Sequence, residues 1–333
     1  MRIAIVKLSA LGDIVHAMIV LQFIKNTQSD ISIDWIVEKK YKELLESNPD
    51  IDSVHSISLK RAKKKQSILA FFKAVRKVRK LQKYDLVIDM QGLIKSALIS
   101  RLIPSKLTIG FDKFSIREKA ASIFYNTTFN CPYEKNIIER NISIVEFAMG
   151  ITIYKKQILN KLPFLFSHSN NLTIKVLNSK KNIILIPGAS DDLKRYPARK
   201  LAKLTELIDA NFLIIWGSYE EKIIGEQIKN LSNNTTVCNR TTLDDLISLI
   251  SKAHLVIGPD TGPTHIAWAL NIPSITIFGP TPGYRNTFMT DINKIIESES
   301  EVNPFKISKN DFSIANIDEE EIVKMANSLL KLG

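Results

Sequence analysis

Asp13 stands in a loop whose residue types suit proton transfer. The loop, KLSALGD over residues 7–13, follows an apolar strand pattern, and Gly12 allows a tight turn before a helical pattern begins. Asp is favoured as the N-cap of a helix. A carboxylate in a ligand-facing loop can also act as a general base. On these residues alone, both roles for Asp13 stay open.

The loop GPDTGPTHIA, residues 258–267, has the character of an anion site. Thr261 and Gly262 are small residues at a predicted helix start, where free N–H groups and the helix dipole attract anions. Asp260 is a candidate helix cap, and His265 is either a packed histidine or a ligand. The loop therefore predicts an anion site.

A third loop, PGASDDLKRYP over residues 187–197, offers Ser190 as a hydrogen-bond donor and Lys194 as a positive charge for phosphate. The known phosphate motifs are missing, because the chain has neither G-x-G-x-x-G nor G-x-x-x-x-G-K-[ST]. The D-x-D at residues 50–52 lies in NPDIDSV and is interpreted as a turn. Cys131 and Cys238 are far apart in sequence, so neither a disulfide nor a cysteine metal site is predicted.

The positive charge of the chain is concentrated in one segment. The net charge is +12, and residues 53–84 contain no Asp or Glu but eleven of the 46 basic residues. Within a predicted helix over 66–83, Ile68, Phe71, Phe72, Val75 and Val78 are expected to pack inward. Either the basic face is simply solvated, or it docks on a polyanion such as nucleic acid, anionic lipid or a phosphorylated glycolipid.

The elements around these loops form two α/β series. Short apolar runs rich in β-branched residues alternate with helical patterns, first from Ile3 to Phe111 and again from Asn182 to Phe278. This alternation predicts two doubly wound parallel sheets with a ligand cleft between the domains. We expect an N-terminal domain over 1–165, a polar linker over 166–181, a second domain over 182–316, and a final helix over 317–333 that can pack back on the N-terminal domain.

Longer motifs make the chain similar to a known family. It resembles the ADP-heptose:lipopolysaccharide heptosyltransferases, glycosyltransferase family 9, over nearly its whole length. The resemblance rests on VKLSALGDIVHA, VIDMQGLIKSALISRL, REKAASIFYN, DDLKRYP, WGSYEEK and DTGPTHIAWAL. DMQGLIKSA and REKAASIFYN are typical of the branch that adds the first heptose. The resemblance implies a GT-B fold, with two Rossmann-like domains.

The resemblance also implies an activity and a location. The activity is inverting transfer of L-glycero-D-manno-heptose from ADP-heptose to the Kdo of Kdo-lipid A, without metal or cofactor. The location is the cytoplasm of a Gram-negative bacterium, peripheral to the anionic inner-membrane surface, with no nucleic acid and no obligate protein partner. Two alternatives remain: a later heptosyltransferase that adds heptose to heptose, and a basic nucleic-acid-binding α/β protein.

Site residues follow from the resemblance position by position. Asp13 matches the catalytic base, and Lys194 matches a residue that contacts the diphosphate and assists its departure. The remaining donor-site matches are Ser190, Glu220 (toward the ribose), Asp260, Thr261, Gly262 and His265. The acceptor-site matches are Lys60, Arg61, Lys63, Lys64, Lys65 and Arg117. Ala189 and Ala10 occupy positions where the family usually has threonine and serine, so two polar contacts are missing here.

Overall fold

The computed structural model describes residues 1–58, 66–169, 180–306 and 308–331. The chain forms two compact units, Met1–Phe164 and Leu165–Gly333. Each unit is built on one six-stranded sheet whose paired strands are all parallel. The prediction of two doubly wound α/β domains is therefore confirmed.

The sheet of the first unit has the strand order β3-β2-β1-β4-β5-β6. Its strands are β1 Arg2–Val6, β2 Ser32–Glu38, β3 Ser53–Ile57, β4 Tyr84–Asp89, β5 Ser105–Phe111 and β6 Thr127–Phe129. Its helices are α1 Leu11–Met18, α2 Val20–Thr27, α3 Glu43–Glu46, α4 Gln66–Val78, α5 Ile94–Leu102, α6 Ile137–Met149 and α7 Lys155–Leu159. Because the chain runs outward in both directions from β1 and β4, the loops after these two strands flank the switch point, where such folds bind ligands.

The second unit repeats this plan in the order β12-β11-β10-β7-β8-β9. Its strands are β7 Asn182–Leu185, β8 Asn211–Ile214, β9 Thr235–Val237, β10 Leu255–Pro259, β11 Ser274–Phe278 and β12 Asn293–Glu297. Its helices are α8 Ala198–Leu207, α9 Tyr219–Asn230, α10 Leu243–Ile250, α11 Gly262–Ala269, α12 Gly283–Asn286 and α13 Glu319–Leu330. Here β7 and β10 meet at the switch point, so the loops after them carry the predicted anion-binding residues.

The final helix packs within its own unit. The buried side chains of α13, Ile322, Ala326 and Leu329, belong to the same apolar core as β7, β8 and α8. Glu319 at its start bonds to Lys203 of α8 at 2.6 Å. The expectation that this helix packs back on the N-terminal domain is thus wrong, because its apolar stripe is buried against α8 and the second sheet.

One inward prediction for α4 is also wrong. Phe71 packs against the core of the first unit beside Ala74 and Val78, but Phe72 is 63% exposed. One residue along a helix turns the side chain by about 100°, so Phe72 leaves the apolar stripe and lies on the basic face. The Ile68 side chain is outside the described part of the structure.

Candidate active site

Asp13 lies in the first turn of α1, three residues after the N-cap. The N-cap is Ala10, whose methyl group cannot accept a hydrogen bond, and the Asp13 Oδ2 accepts one from the Ala10 N–H at 3.0 Å. The interpretation of Asp13 as the N-cap itself is therefore wrong by three positions. The side chain is half-buried, and within the described residues its Oδ1 has no hydrogen-bond partner. One carboxylate oxygen is thus fixed and the other can accept a proton.

Buried contacts anchor the strand that leads into this loop. The Lys7 side chain is 3% exposed, and its Nζ donates to the carbonyl of Met90 at 2.8 Å. The Trp35 Nε1 donates to the carbonyl of Lys7 at 3.2 Å. Lys7 therefore ties the end of β1 to the segment after β4.

The loops after β7 and β10 meet through an ion pair. The Lys194 Nζ lies 2.8 Å from the Asp260 Oδ2, and both side chains are largely buried. Lys194 ends a short 3-10 helix, Asp192–Lys194, whose start is capped by the Asp191 side chain. An ammonium has three N–H donors, so Lys194 can bind Asp260 and a second acceptor together.

Asp260 is surrounded by further hydrogen-bond donors. Its Oδ1 lies 3.1 Å from the His265 Nε2, and its Oδ2 accepts from the Thr281 Oγ1 at 3.3 Å and the Asn286 Nδ2 at 3.2 Å. Burial alone would raise the pKa of Asp260. The hydrogen bond with His265 and the charge of Lys194 outweigh that effect and hold its pKa well below the usual range. Asp260 is therefore a carboxylate that orients the side chains around it.

The helix cap of α11 is Thr261, not Asp260 as one prediction allowed. Thr261 is the N-cap and Gly262 the first helical residue. The Thr264 Oγ1 donates to the carbonyl of Thr261 at 2.6 Å and accepts from its N–H at 3.4 Å. The N–H groups of the first helical turn have no acceptor inside the helix. Pro263 has no N–H and the Thr261 N–H is bonded to Thr264, so the N–H of Gly262 is the donor that this turn offers beside the Lys194–Asp260 pair.

Sequence reasoning missed Thr281 and Asn286. They belong to GPTPGYRN, which follows β11 and leads into α12. A strand-to-helix loop rich in Gly and Pro was available as a signal. The reach of both side chains to Asp260 depends on the pairing of β10 with β11, which no local pattern reveals.

Ser190 and Glu220 lie outside this hydrogen-bonded cluster. Ser190 is exposed in the loop after β7. Glu220, whose side chain is 77% exposed, lies 3.4 Å from the Arg195 Nη2. A Cβ on Gly188 would come within 2.2 Å of the Glu221 side chain, so the loop that carries Ser190 packs closely on the start of α9. The structure thus brings Lys194, Asp260, Thr261, Gly262 and His265 together and leaves Ser190 and Glu220 beside them.

The predicted acceptor residues are only partly described. Lys60, Arg61, Lys63, Lys64 and Lys65 lie outside the described residues. Arg117 is exposed, with its guanidinium 5.2 Å from the centre of the Tyr133 ring. In the D-x-D segment, the Asn48 Oδ1 accepts from the Asp50 N–H at 2.9 Å and the Asn48 carbonyl from the Ile51 N–H at 3.2 Å, which agrees with the interpretation as a turn.

Comparison with known proteins identifies the family. The model of glycosyltransferase family 9 (heptosyltransferase) matches residues 68–311. Lipopolysaccharide heptosyltransferase 1 of Campylobacter coli is 38% identical over 99% of this chain and 99% of its own length. The enzyme of the same name from Escherichia coli K12 is 28% identical over 85% of this chain and 89% of its own. The solved structure of E. coli heptosyltransferase WaaC with ADP has the same fold, with a TM-score of 0.81, 22% identity, and 99% and 100% of the two chains covered. The chain therefore belongs to glycosyltransferase family 9, the heptosyltransferases.

Proposed function

We propose that this enzyme transfers L-glycero-D-manno-heptose from ADP-heptose to the Kdo of Kdo-lipid A, with inversion at the anomeric carbon. The observation that carries this proposal is the 38% identity, over almost the full length, to a lipopolysaccharide heptosyltransferase 1. The charged cluster around Asp260 supports it, because a nucleotide-sugar donor needs cationic and N–H groups for its diphosphate.

The second unit binds the donor in this proposal. Lys194 donates one N–H to Asp260 and another to a diphosphate oxygen, while the first turn of α11 contributes the N–H of Gly262. In the same proposal, Ser190 adds a hydroxyl donor and Glu220 accepts from the ribose. His265 and Asn286 hold Asp260, which keeps Lys194 in one orientation.

The first unit supplies the base. As the Kdo hydroxyl attacks the anomeric carbon, its proton moves to the Oδ1 of Asp13, the oxygen that Ala10 does not occupy. The bond from the anomeric carbon to the phosphate oxygen breaks, and ADP leaves with the electron pair. The new glycosidic bond forms on the opposite face of the sugar, which inverts the configuration.

Lys194 and the Gly262 N–H at the start of α11 stabilise the charge that develops on ADP without a metal ion. Such preorganised donors act most strongly where charge builds in the transition state. We therefore expect full activity in EDTA. Loss of activity in EDTA, restored by a divalent cation, would contradict this part of the proposal.

The basic segment is proposed to hold the anionic acceptor and the inner-membrane surface on the cytoplasmic side. On the described part of α4, Lys73, Arg76 and Lys77 are exposed together with Phe72, a combination suited to anionic headgroups over an apolar layer. Arg117 and the residues Lys60, Arg61, Lys63, Lys64 and Lys65 complete the proposed acceptor contacts. Among the described residues, no helix is both long and apolar enough to cross a bilayer. Binding to anionic vesicles should weaken with salt and in Phe72→Ser.

The experiment compares two acceptors. The purified enzyme is incubated with ADP-heptose, EDTA and either Kdo-lipid A or the same acceptor already carrying one heptose, and products are read by mass spectrometry. Gain of one heptose on Kdo-lipid A supports the proposal, whereas gain only on the heptosylated acceptor indicates a later heptosyltransferase. No transfer by folded enzyme, with tight binding to random oligonucleotides, would favour the nucleic-acid alternative that an exposed Phe72 allows.

A further inference from the structure

The loop that carries Asp13 is held by one side chain from the end of β4. The Oε1 of Gln91 accepts hydrogen bonds from the backbone N–H groups of Leu8 and Ser9, each at 3.1 Å. These residues are more than 80 positions from Gln91 in sequence. A carbonyl oxygen has two lone pairs, so both are used on consecutive residues of this loop.

Gln91 is itself fixed by a buried carboxylate. The Asp89 Oδ1 accepts from the backbone N–H of Gln91 at 2.8 Å and of Gly92 at 3.2 Å. The Tyr125 hydroxyl donates to the Asp89 Oδ2 at 3.0 Å. Gly92 has a φ of +70°, a conformation that glycine adopts without steric cost. The Asp89 side chain, itself bonded to Tyr125, therefore holds the backbone at Gln91 and Gly92 from which the Gln91 side chain extends to the loop.

The hydrogen bonds continue without a gap to the carboxylate. Ala10 directly follows Ser9, and its N–H donates to the Asp13 Oδ2 at 3.0 Å. Three consecutive N–H groups, those of Leu8, Ser9 and Ala10, are thus taken by two side chains, Gln91 and Asp13. Rotation of the loop would break bonds at both ends at once.

We propose that Gln91 is a positioning residue for the reaction, because its Oε1 fixes the loop from which Asp13 reaches the acceptor hydroxyl. This inference rests on the proposed function, in which Asp13 is the base. A misplacement of about 1 Å in a reacting group can cost about 100-fold in rate. Loss of the Gln91 acceptor should therefore lower kcat while leaving the donor site in the second unit unchanged.

The test uses Gln91→Leu, which removes the acceptor, and Gln91→Glu, which keeps an oxygen for both N–H groups. We expect Gln91→Leu to lower kcat by about 10- to 100-fold, with the KM for ADP-heptose within about twofold of wild type. Gln91→Glu should recover most of the loss. Gln227→Leu, at an exposed position of α9, is the matched control and should behave as wild type. If circular dichroism shows that Gln91→Leu does not fold, the test uses Gln91→Asn instead. This variant keeps the amide but moves its oxygen away from the loop by one methylene.

Coupling to Asp13 separates positioning from a purely structural role. The residual heptose transfer by Asp13→Asn is measured over hours from product mass. Adding Gln91→Leu to this variant should change that residual rate by less than about twofold. A folded Gln91→Leu enzyme with wild-type kcat would overturn the inference, as would an undiminished effect in the Asp13→Asn background. Failure of the proposed function gives a different result, since wild type would transfer no heptose or Asp13→Asn would remain fully active.

Discussion

Replacing Lys194 by methionine tests the donor site of the second unit. Methionine keeps the length and apolar stem of the side chain but removes the ammonium that lies 2.8 Å from the Asp260 Oδ2. Asp260 keeps its contacts with His265, Thr281 and Asn286. The change therefore removes one charge and leaves most of the hydrogen bonds of the cluster intact.

The effects on stability and on catalysis differ in size. Because those contacts are retained, we expect Lys194→Met to lower the free energy of unfolding by about 1.5–3 kcal/mol, the value of one charge-assisted hydrogen bond. An uncompensated buried charge would cost more, about 3–5 kcal/mol. For a unit of this size each kcal/mol lowers Tm by about 2–4 °C. If Lys194 stabilises the departing ADP, its loss costs about 2.7–4 kcal/mol of transition-state stabilisation, or 10²–10³ in kcat/KM.

The assay combines ADP release on Kdo-lipid A with thermal unfolding. The matched control is the double variant Lys194→Met/Asp260→Asn, which also removes the carboxylate charge. The double variant should recover part of the lost Tm, because the Asp260 charge that Lys194 balanced is also removed, yet its kcat/KM should stay low. A Lys194→Met enzyme within about threefold of wild-type kcat/KM would refute the catalytic role. A double variant no more stable than Lys194→Met would refute the electrostatic account of the pair.

Two further predictions concern the support of the Asp13 loop. Burial raises the pKa of Asp89 above its ordinary 3.8, so its contribution to stability is fully present below about pH 4 and lost as pH rises through the folded value. The Tm of Asp89→Asn should therefore equal or exceed that of wild type at pH 7, and the comparison should become less favourable to the variant at pH 4. A Tm that falls further below wild type at pH 7 than at pH 4 would contradict this. In Gly110→Ala the new Cβ would lie 2.3 Å from the Tyr125 ring, so the ring must move away from Asp89. We expect the free energy of unfolding in denaturant to fall by about 1–3 kcal/mol and kcat to fall as well. Unchanged stability would show that the ring has room for the methyl group.

Local patterns in the sequence predict most of the strands but miss two of the four outer ones. Runs such as residues 3–8 and 274–278 are rich in apolar and β-branched residues, and they contain residues of the buried strands β1 and β11. The edge strands β6 and β12 were not predicted, because TTF has a single apolar residue and NKIIE carries polar residues at both ends. The sequence shows one continuous helical pattern over residues 14–27, whereas the structure has two helices there, α1 and α2, and α1 already begins at Leu11.

For the site, sequence reasoning finds side chains but not their partners. Lys194 and Asp260 were both predicted in the donor site, yet their ion pair joins loops 66 residues apart. In the sequence, Gln91 is recognisable only as part of a family motif. Its role could not be predicted, because its contact with Leu8 and Ser9 depends on the pairing of β1 with β4. Phe72 was misplaced because periodicity assigns a stripe about 100° wide, and adjacent phenylalanines cannot both lie at its centre.

Asp13→Asn tests the central claim most directly. Asparagine keeps the size of the side chain, and its carbonyl oxygen can still accept from the Ala10 N–H, so the helix start should persist. The measurement is product mass after incubation with ADP-heptose and Kdo-lipid A, beside wild type and with circular dichroism of both proteins. We predict one added heptose with wild type and a loss of at least about 100-fold with folded Asp13→Asn. Equal rates of heptose transfer by the two proteins would contradict the assignment of Asp13 as the base.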